Sequence, residues 1–445
     1  MNQSARECVI LKPTNAGNGI FSFHKGSPQI EWDIPVMPKF LDGKTLRING
    51  TFKVFDSAGS HPTNRDKTKR INIDSRTGVS SAIELLSIES QDGQSYEMIK
   101  NYNRLCATLM PLQHSFTNYI SAGTDMVFGA TSKDAQQGYL CDKRITFSMP
   151  LLAGILQGQP LDLIMTKGLH LTLQLAPDKF VLFDNYFKDQ ANNDAVGSYY
   201  ELSDLTLTFD AIVPPPQQQQ AMLGNRSGAW DYISYSSFYT TMTSNDHSSV
   251  FNVNKSKVLG AIANIIPSAW INNYHYNSQM ITPLLKKNGG AVLNKKAKIN
   301  NVIWTRGGIR MPLDFEIDAK EKITTDNYNP NAQLEQVNLN SFIDGWSASN
   351  FLICPRTELG FGNARPNSAS FFPTSITLND NDPTFMLGIG YDNVSNQGVN
   401  FKGTHLGLRL TSNWTDGNAN PHSLYLFVKH RNVIQFDNGV VNIGQ

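Results

Sequence analysis

The amino-acid sequence predicts an all-β protein that contains two tandem β-sandwich domains. Leu205–Val213 carries apolar residues at alternate positions, which is typical of a half-buried strand. Three prolines and four glutamines follow at 214–220 and interrupt this strand near the middle of the chain. The pattern Lys-Gly-x-His-Leu-x-Leu-x-Leu occurs at Lys167–Leu175 and again at Lys402–Leu410, which indicates a duplicated domain.

The position of the prolines sets the expected domain organisation. We expect an N-terminal domain at 1–213, a Pro/Gln linker at 214–222 and a C-terminal domain at 223–445. Because proline fixes φ and has no backbone N–H, the linker is predicted to be an extended, stiff connector. Two domains of about 200 residues fit the usual domain size, whereas a single core rarely grows this large.

The N-terminal half contains short runs with the composition of strands and one amphipathic segment. The segment Ser95–Met110 is predicted to be a helix, because Met98, Tyr102 and Leu105 share one apolar face with Cys106 and Leu109. The strands are expected at 8–11, 19–23, 30–34, 45–55, 144–149, near 161–175 and at 199–213.

The C-terminal half has a similar pattern. Residues 256–270 are predicted to form a short helix that Pro267 breaks, and two long polar insertions lie at Thr282–Lys298 and Lys322–Asn340. Strands are expected at 230–242, 248–253, 299–306, 309–317, 349–354, 384–391, 404–411 and 423–436. About eight short strands per half favour two tandem eight-stranded jelly-roll β-sandwiches with a few short helices in loops.

The charge distribution argues against a dedicated nucleic-acid-binding protein. The chain carries 38 Lys and Arg against 37 Asp and Glu, and neither half has a large excess of one sign. The four cysteines, Cys8, Cys106, Cys141 and Cys354, are far apart, and no Cys/His cluster has the spacing of a zinc site. We find no apolar run of 18 or more residues and no signal peptide, so neither secretion nor membrane insertion is expected.

The search for catalytic chemistry predicts no catalytic, cofactor-binding or metal-binding residues. Asp314, Glu316 and Asp318 alternate along a predicted strand, and paired carboxylates are what a glycoside hydrolase requires. The same pattern fits a solvated or inter-subunit face, which is the interpretation we favour. Asn379–Asp382 lacks the glycine and distal glutamate of a calcium loop, and the lysine pairs at 286–287 and 295–296 have no interleaved aromatic residues for stacking on bases.

Several segments, taken in order, resemble the double jelly-roll major capsid proteins of double-stranded DNA viruses, especially the polinton-like virus and virophage branch. The N-terminal half supplies most of them, including the helix that contains Glu97–Arg104, and Arg306–Leu313 continues the resemblance after the linker. The other matching segments are 30–35, 40–48, 72–78, 81–84, 148–156 and 160–163.

The resemblance implies a structural subunit of an icosahedral virus shell and no enzyme activity. Such a subunit trimerises into a pseudo-hexameric capsomer, and we expect a homotrimer whose interfaces exceed roughly 2,000 Å². It implies contacts with neighbouring capsomers and with penton and minor or cement capsid proteins, at most weak contact with packaged DNA, and no small-molecule substrate or cofactor. The protein would then lie in the virion after assembly inside the host cell. The alternative is a two-domain β-sandwich carbohydrate-binding protein or glycoside hydrolase.

Overall fold

The computed structural model describes residues 5–59, 71–73, 78–113, 145–184, 197–224, 227–244, 246–267, 297–311, 387–391, 398–414, 422–437 and 440–444. Antiparallel strands dominate these residues. Within them, no helix is long and apolar enough to cross a membrane.

The strands before the prolines include eight that build the two main sheets and four that are only two residues long. In chain order they are β1 (Ala5–Leu11), β2 (Ile20–Phe21), β3 (Gln29–Ile34), β4 (Phe40–Phe55), β5 (Ile71–Asn72), β6 (Ile83–Glu89), β7 (Ser95–Lys100), β8 (Ile145–Pro150), β9 (Leu161–Asp162), β10 (Leu169–Leu175), β11 (Phe183–Asp184) and β12 (Tyr199–Val213). The helices are a 3-10 turn at Gly78–Ala82, α1 (Tyr102–Gln113), α2 (Gly154–Gln157), α3 (Asp178–Val181) and α4 (Pro216–Leu223).

The strands after the prolines follow the same plan with a C-terminal addition. They are β13 (Ser227–Met242), β14 (Asp246–Phe251), β15 (Val258–Pro267), β16 (Ala297–Arg306), β17 (Ile309–Arg310), β18 (Leu387–Gly390), β19 (Leu406–Trp414), β20 (His422–Asp437) and β21 (Val440–Gly444).

The two halves have the same strand order. The main sheets of the first half are β1-β12-β4-β8 and β3-β10-β6-β7, and those of the second half are β13-β20-β15-β18 and β14-β19-β16-β17. When only the eight main strands of each half are counted, both halves read first-eighth-third-sixth in one sheet and second-seventh-fourth-fifth in the other. This is the arrangement of an eight-stranded jelly roll, and the predicted fold class is therefore confirmed.

The repeated sequence motif occupies equivalent strands. Leu169–Leu175 forms β10, and the end of Lys402–Leu410 opens β19; each is the seventh main strand of its half and lies second in its sheet. Gly168 and Gly403 both adopt positive φ, 68° and 73°, immediately before these strands. This left-handed conformation explains why the motif requires glycine there. The expectation that the two segments are equivalent is confirmed.

The helix predicted at Ser95–Met110 is wrong over its first part. Residues Ser95–Lys100 form β7, and α1 begins only at Tyr102. The strand buries Tyr96 and Ile99 and leaves Met98 exposed, and Asn101 breaks the backbone with a φ of 52°. The predicted burial of Tyr102 and Leu105 is confirmed, since both are fully buried.

Two further predictions are also corrected. Residues 256–270 contain β15 instead of a helix: residues 258–264 are all buried, so this strand is covered on both faces and lacks alternation. The linker is not extended throughout, because the glutamines lie in α4 with Pro216 at the start of the helix. Proline is favoured at the first helical position, because a backbone N–H there would have no hydrogen-bond partner within the helix. Glutamine is a good helix former.

Several expectations lie outside the described residues. They are the strand at 349–354, residues 312–317 of the strand at 309–317, the insertion at Lys322–Asn340, and residues 282–296 of the other insertion, whose last two residues open β16.

Candidate functional site

In the part of the chain that the structure describes, many buried polar and apolar contacts lie where the two halves meet. We call this surface the junction; β7, α1 and α2 form its first side, and β13, β15 and β20 form its second. The hydrophobic cluster of the first half extends into the second half through six buried side chains. These are Tyr232, Ile262, Tyr425, Phe427, Ile434 and Phe436. The core of the first sandwich therefore continues across the junction onto the second half, whose own sandwich has a separate core.

The alternation of β20 explains how the junction forms. Leu424, Leu426 and Val428 point into the core of the second sandwich. Tyr425 and Phe427, on the opposite face of the same strand, belong to the cluster shared with the first half. This sheet is therefore apolar on both faces, which is unusual for an antiparallel sheet and indicates a permanent covering partner.

A buried carboxylate lies at the centre of the junction. Glu97, 2% exposed, accepts the backbone N–H groups of Gly154 at 3.1 Å and Ile155 at 3.0 Å. The hydroxyl of Ser234, on β13, donates to the same carboxylate at 2.5 Å. Desolvation raises the pKa of Glu97, and the three hydrogen bonds oppose that shift.

Other polar groups are paired across the junction. The hydroxyl of Tyr232 donates to the carbonyl of Tyr96. The side-chain amide of Asn101 donates to the Ser237 hydroxyl at 2.9 Å, and the amide of Asn264 donates to the Thr108 hydroxyl at 3.0 Å. Buried hydrogen bonds of this kind fix the relative position of two surfaces, because a displaced polar group is left without a partner.

The backbones approach closely at one point. A Cβ on Gly154 would lie 1.6 Å from the carbonyl oxygen of Ile233, so β13 packs directly against the start of α2. Aromatic rings fill the region beside this contact: Phe436 meets Trp230 edge-on, with centroids 5.5 Å apart and an interplanar angle of 88°. Close backbone contact and interlocking rings are typical of a rigid interior.

Two basic side chains are buried in β20. Burial lowers the pKa of Lys429 to about 8 and that of His430 to about 3. Nε2 of His430 lies 2.8 Å from the Ser236 hydroxyl on the neighbouring β13. His430 is therefore neutral at physiological pH and acts as a hydrogen-bonding group within the sheet.

The contacts of the junction hold the two sandwiches together. Among the described residues, no group of three or more His, Cys, Asp or Glu side chains is placed to hold a metal ion. Cys106 is buried and Cys8 is exposed, and neither is in a disulfide. His170 lies 2.7 Å from Asp33 on the adjacent β3, and His405 is exposed just before β19.

The remaining candidate residues lie outside the described part of the chain. They are Asp314, Glu316, Asp318, Asn379–Asp382, Cys141, Cys354 and the lysine pairs at 286–287 and 295–296. Glu97 was not singled out by sequence reasoning, because the predicted helix placed it on a solvated face. Tyr96 and Ile99 are three residues apart, a spacing that is typical of one helix face, so the local sequence carried no signal for a strand that buries Glu97.

Comparison with known proteins identifies the fold. No protein-family model and no curated protein sequence matches the chain. The match to a structure of the PBCV-1 virus capsid covers 100% of this chain and 97% of the capsid protein chain, with a TM-score of 0.62 and 11% identity. The Faustovirus major capsid protein matches 98% of this chain and 91% of its own, with a TM-score of 0.60 and 10% identity.

The match to a chain of the Sputnik virophage structure covers 100% of this chain and 89% of that chain, with a TM-score of 0.54 and 12% identity. These matches span both halves, together with the junction between them. The chain therefore has the double jelly-roll fold of viral major capsid proteins.

Proposed function

We propose that this protein is a major capsid protein, the structural subunit of an icosahedral virus shell. The observation that carries the proposal is the identical strand order of the two halves, joined by a buried junction. Joining two sandwiches of the same strand order through a buried junction gives a rigid block of two similarly folded domains. The full-length match to viral capsid subunits supports the same function.

The proposed assembly unit is a homotrimer. Three chains, each with two similar sandwiches, place six similar domains around one axis, which gives a pseudo-hexameric capsomer. The near-neutral charge of the chain favours this, because a large like charge on every copy would oppose side-by-side packing. The domains proposed for this unit are an N-terminal jelly roll at 1–213, a linker at 214–222 and a C-terminal jelly roll at 223–445.

The proposed partners follow from this role. They are neighbouring capsomers, penton proteins and minor or cement capsid proteins in the virion, with at most weak contact to packaged DNA. The protein is proposed to have no enzyme activity and to require no cofactor or substrate. The carbohydrate-binding alternative is not favoured by the structural neighbours, which are viral capsid proteins.

Solution mass and particle formation test the proposal. Multi-angle light scattering of the purified full chain at micromolar concentration is expected to give the mass of three chains. Electron microscopy of the same preparation is expected to show hexagonal blocks or shell fragments. A chain that stays a single copy at all accessible concentrations and forms no blocks would contradict the proposed function.

A further inference from the structure

Two loops at the same end of each sandwich occupy equivalent places in the two halves. The first joins the second and third main strands, and it comprises residues 35–39 in the first half and 252–257 in the second. The other loop leads into the seventh main strand and contains the lysine of the repeated motif, Lys167 in one half and Lys402 in the other. Each half therefore has the same pair of loops at this end.

A backbone hydrogen bond joins the two loops in each half. In the first half, the N–H of Leu163 donates to the carbonyl of Lys39 at 3.1 Å. In the second half, the N–H of Phe401 donates to the carbonyl of Lys255 at 2.8 Å. Lys402 follows Phe401 directly in the chain, so this bond brings the backbones of Lys255 and Lys402 close together.

In the first half, the lysine of each loop has a carboxylate partner. Nζ of Lys167 lies 2.6 Å from the carboxylate of Asp92, in the turn between β6 and β7. Nζ of Lys39 lies 2.6 Å from the carboxylate of Glu7 on β1. Both lysine charges are therefore balanced within the chain.

In the second half, the lysines of the same loops are not balanced in this way. Residues 252–257 and 398–405 contain Lys255, Lys257 and Lys402 and have no Asp or Glu among them. Within the part of the chain that the structure describes, none of these three lysines forms a salt bridge. This end of the second sandwich therefore carries an uncompensated positive charge on two adjacent loops.

The carboxylates that could balance this charge are replaced or already engaged. The turn between the fourth and fifth main strands carries Asp92 in the first half, whereas in the second half it is a Gly-Gly pair at 307–308. Asp231, on β13, is bound by the guanidinium of Arg431, whose backbone N–H donates to the carbonyl of Lys257 at 2.9 Å. The duplication has thus kept the lysines of this end and lost their partners.

Lys255 is a partly buried cation that lies beside a second cation. Desolvation lowers the pKa of Lys255, and the charge of Lys402 lowers it further. An anion bound between the two would offset both effects, because it supplies the opposite charge that a desolvated ammonium group requires. Lys257 and Lys402 are exposed, so a ligand reaches these loops directly from solvent.

Hydrogen bonds fix the loop that carries Lys402. The backbone N–H of Lys402 donates to the side-chain oxygen of Asn400 at 2.8 Å. The N–H of Gly307 donates to the carbonyl of His405 at 2.9 Å, which attaches the end of the loop to the turn between β16 and β17. An ordered loop loses little conformational entropy when a ligand binds to it.

The composition of the two loops favours a phosphate backbone over a lipid surface as the ligand. Beside the lysines they expose Asn252, Asn254 and His405, whose side chains can donate hydrogen bonds to phosphate oxygens. Binding to a membrane surface requires an apolar face as well as basic residues. In these two described loops, Val253 and Phe401 are buried, and no large apolar side chain is exposed for insertion into lipid.

We propose that residues 252–257 and 398–405 form a binding site for the phosphate backbone of double-stranded DNA, with Lys255, Lys257 and Lys402 as its cations. The inference rests on the proposed function, because packaged DNA is the phosphate polymer that a virus shell encloses. It places this end of the second sandwich on the inner surface of the shell. Three lysines per chain make each contact weak, in agreement with a chain that carries 38 Lys and Arg against 37 Asp and Glu.

Salt-dependent binding of the full chain to a short labelled duplex, measured by fluorescence anisotropy, tests this site. Three lysine–phosphate contacts predict that the affinity falls about 40-fold between about 50 and 200 mM salt. Lys255→Gln combined with Lys402→Gln leaves one contact, so the fall is expected to be only about 3.5-fold. The melting temperature is expected to change little, because the two lysines form no salt bridge with the described residues.

The matched control is Lys39→Gln combined with Lys167→Gln. It removes the same number of charges from the equivalent loops of the first half, where each lysine has a carboxylate partner. Its DNA affinity and salt dependence are expected to equal those of the wild type. If the second-half double variant fails to fold, Lys402→Gln alone, at an exposed position, is expected to reduce the fall in affinity to about 12-fold.

The possible outcomes divide clearly. A wild type that does not bind the duplex at about 50 mM salt overturns the inference, as does a second-half double variant with the salt dependence of the wild type. An equal loss of binding in the first-half control also overturns it. Co-sedimentation with vesicles of phosphatidylglycerol and phosphatidylcholine provides another arm: binding to these vesicles without binding to the duplex replaces the DNA site with a membrane-binding surface.

Light scattering of the same samples separates this inference from the proposed function. The two loops belong to a single chain, so DNA binding is measurable in any oligomeric state. A wild type with the mass of three chains that does not bind DNA overturns the inference and leaves the proposed function in place. A wild type that stays a single copy and forms no shell fragments overturns the proposed function, whatever its affinity for DNA.

Discussion

Glu97 and Ser234 lie in different halves of the chain and share a hydrogen bond of 2.5 Å. The same carboxylate accepts the N–H groups of Gly154 and Ile155, so one side chain joins three segments that are far apart in sequence. Because Glu97 is 2% exposed, water cannot replace it as the acceptor for these donors. The relative position of the two sandwiches therefore depends on this carboxylate.

Glu97→Ala is expected to destabilise the protein by roughly 2–5 kcal/mol, because it leaves three buried donors without an acceptor. The free energy of unfolding from urea titration measures this change. Ser234→Ala removes only one of the three donors and is expected to cost about 1 kcal/mol. Equal, small losses in the two variants would show that the carboxylate does not hold the junction together.

The raised pKa of Glu97 predicts a pH dependence of stability. The folded state binds this proton more tightly than the unfolded state, whose ordinary pKa is 4.5. The contribution of this group is therefore full below pH 4.5 and is lost as the pH rises through the folded-state pKa. Tyr102 and Tyr235 nearby have pKa values raised by burial, so they stay neutral throughout this range.

The measurement for this prediction is the urea midpoint of the wild type and of Glu97→Gln from pH 4.5 upward. Glutamine cannot ionise, so the difference in midpoint between wild type and variant is expected to shrink as the pH rises. The test compares how this difference changes with pH and not its absolute size, because glutamine also lacks one of the two acceptor oxygens of the carboxylate. Parallel pH profiles would contradict the assignment of this dependence to Glu97.

The sequence predicts much of the strand framework because most strands have one face in a core and one in water. Alternation identifies β12 over Leu205–Val213, and the repeated motif identifies β10 and β19 as equivalent strands. The turn before each seventh strand is also readable, since Gly168 and Gly403 adopt positive φ. These features are local, so neighbouring residues are sufficient to specify them.

The junction could not be predicted in the same way. β15 is buried on both faces, and a continuous apolar run fits either a helix or a strand until its neighbours are known. The donors to Glu97 come from residues 154, 155 and 234, and the desolvation that raises its pKa exists only after both halves pack. Contacts of such large sequence separation have no local signal.

Leu105→Ala tests the importance of α1 for the first sandwich. Leu105 is 0% exposed, and its truncation is expected to cost about 2–5 kcal/mol through lost burial and the cavity left behind. Met98→Ala is the control, because Met98 is 46% exposed and should change stability by no more than about 0.5 kcal/mol. An unchanged melting temperature for Leu105→Ala, with normal oligomer mass, would show that α1 is peripheral.

Gly154→Ala tests whether the two sandwiches require direct backbone contact. The added Cβ would lie 1.6 Å from the carbonyl oxygen of Ile233, and a backbone atom cannot move aside as a flexible side chain does. Relief requires β13 to shift away from α2, which also stretches the hydrogen bond between Ser234 and Glu97. We expect a loss of about 3 kcal/mol or more in the free energy of unfolding. Gly17→Ala is the matched control, since its Cβ meets no atom within 4 Å and should leave stability almost unchanged. A Gly154→Ala variant that unfolds at the same urea concentration as Gly17→Ala would mean that the halves are not held in this close contact in solution.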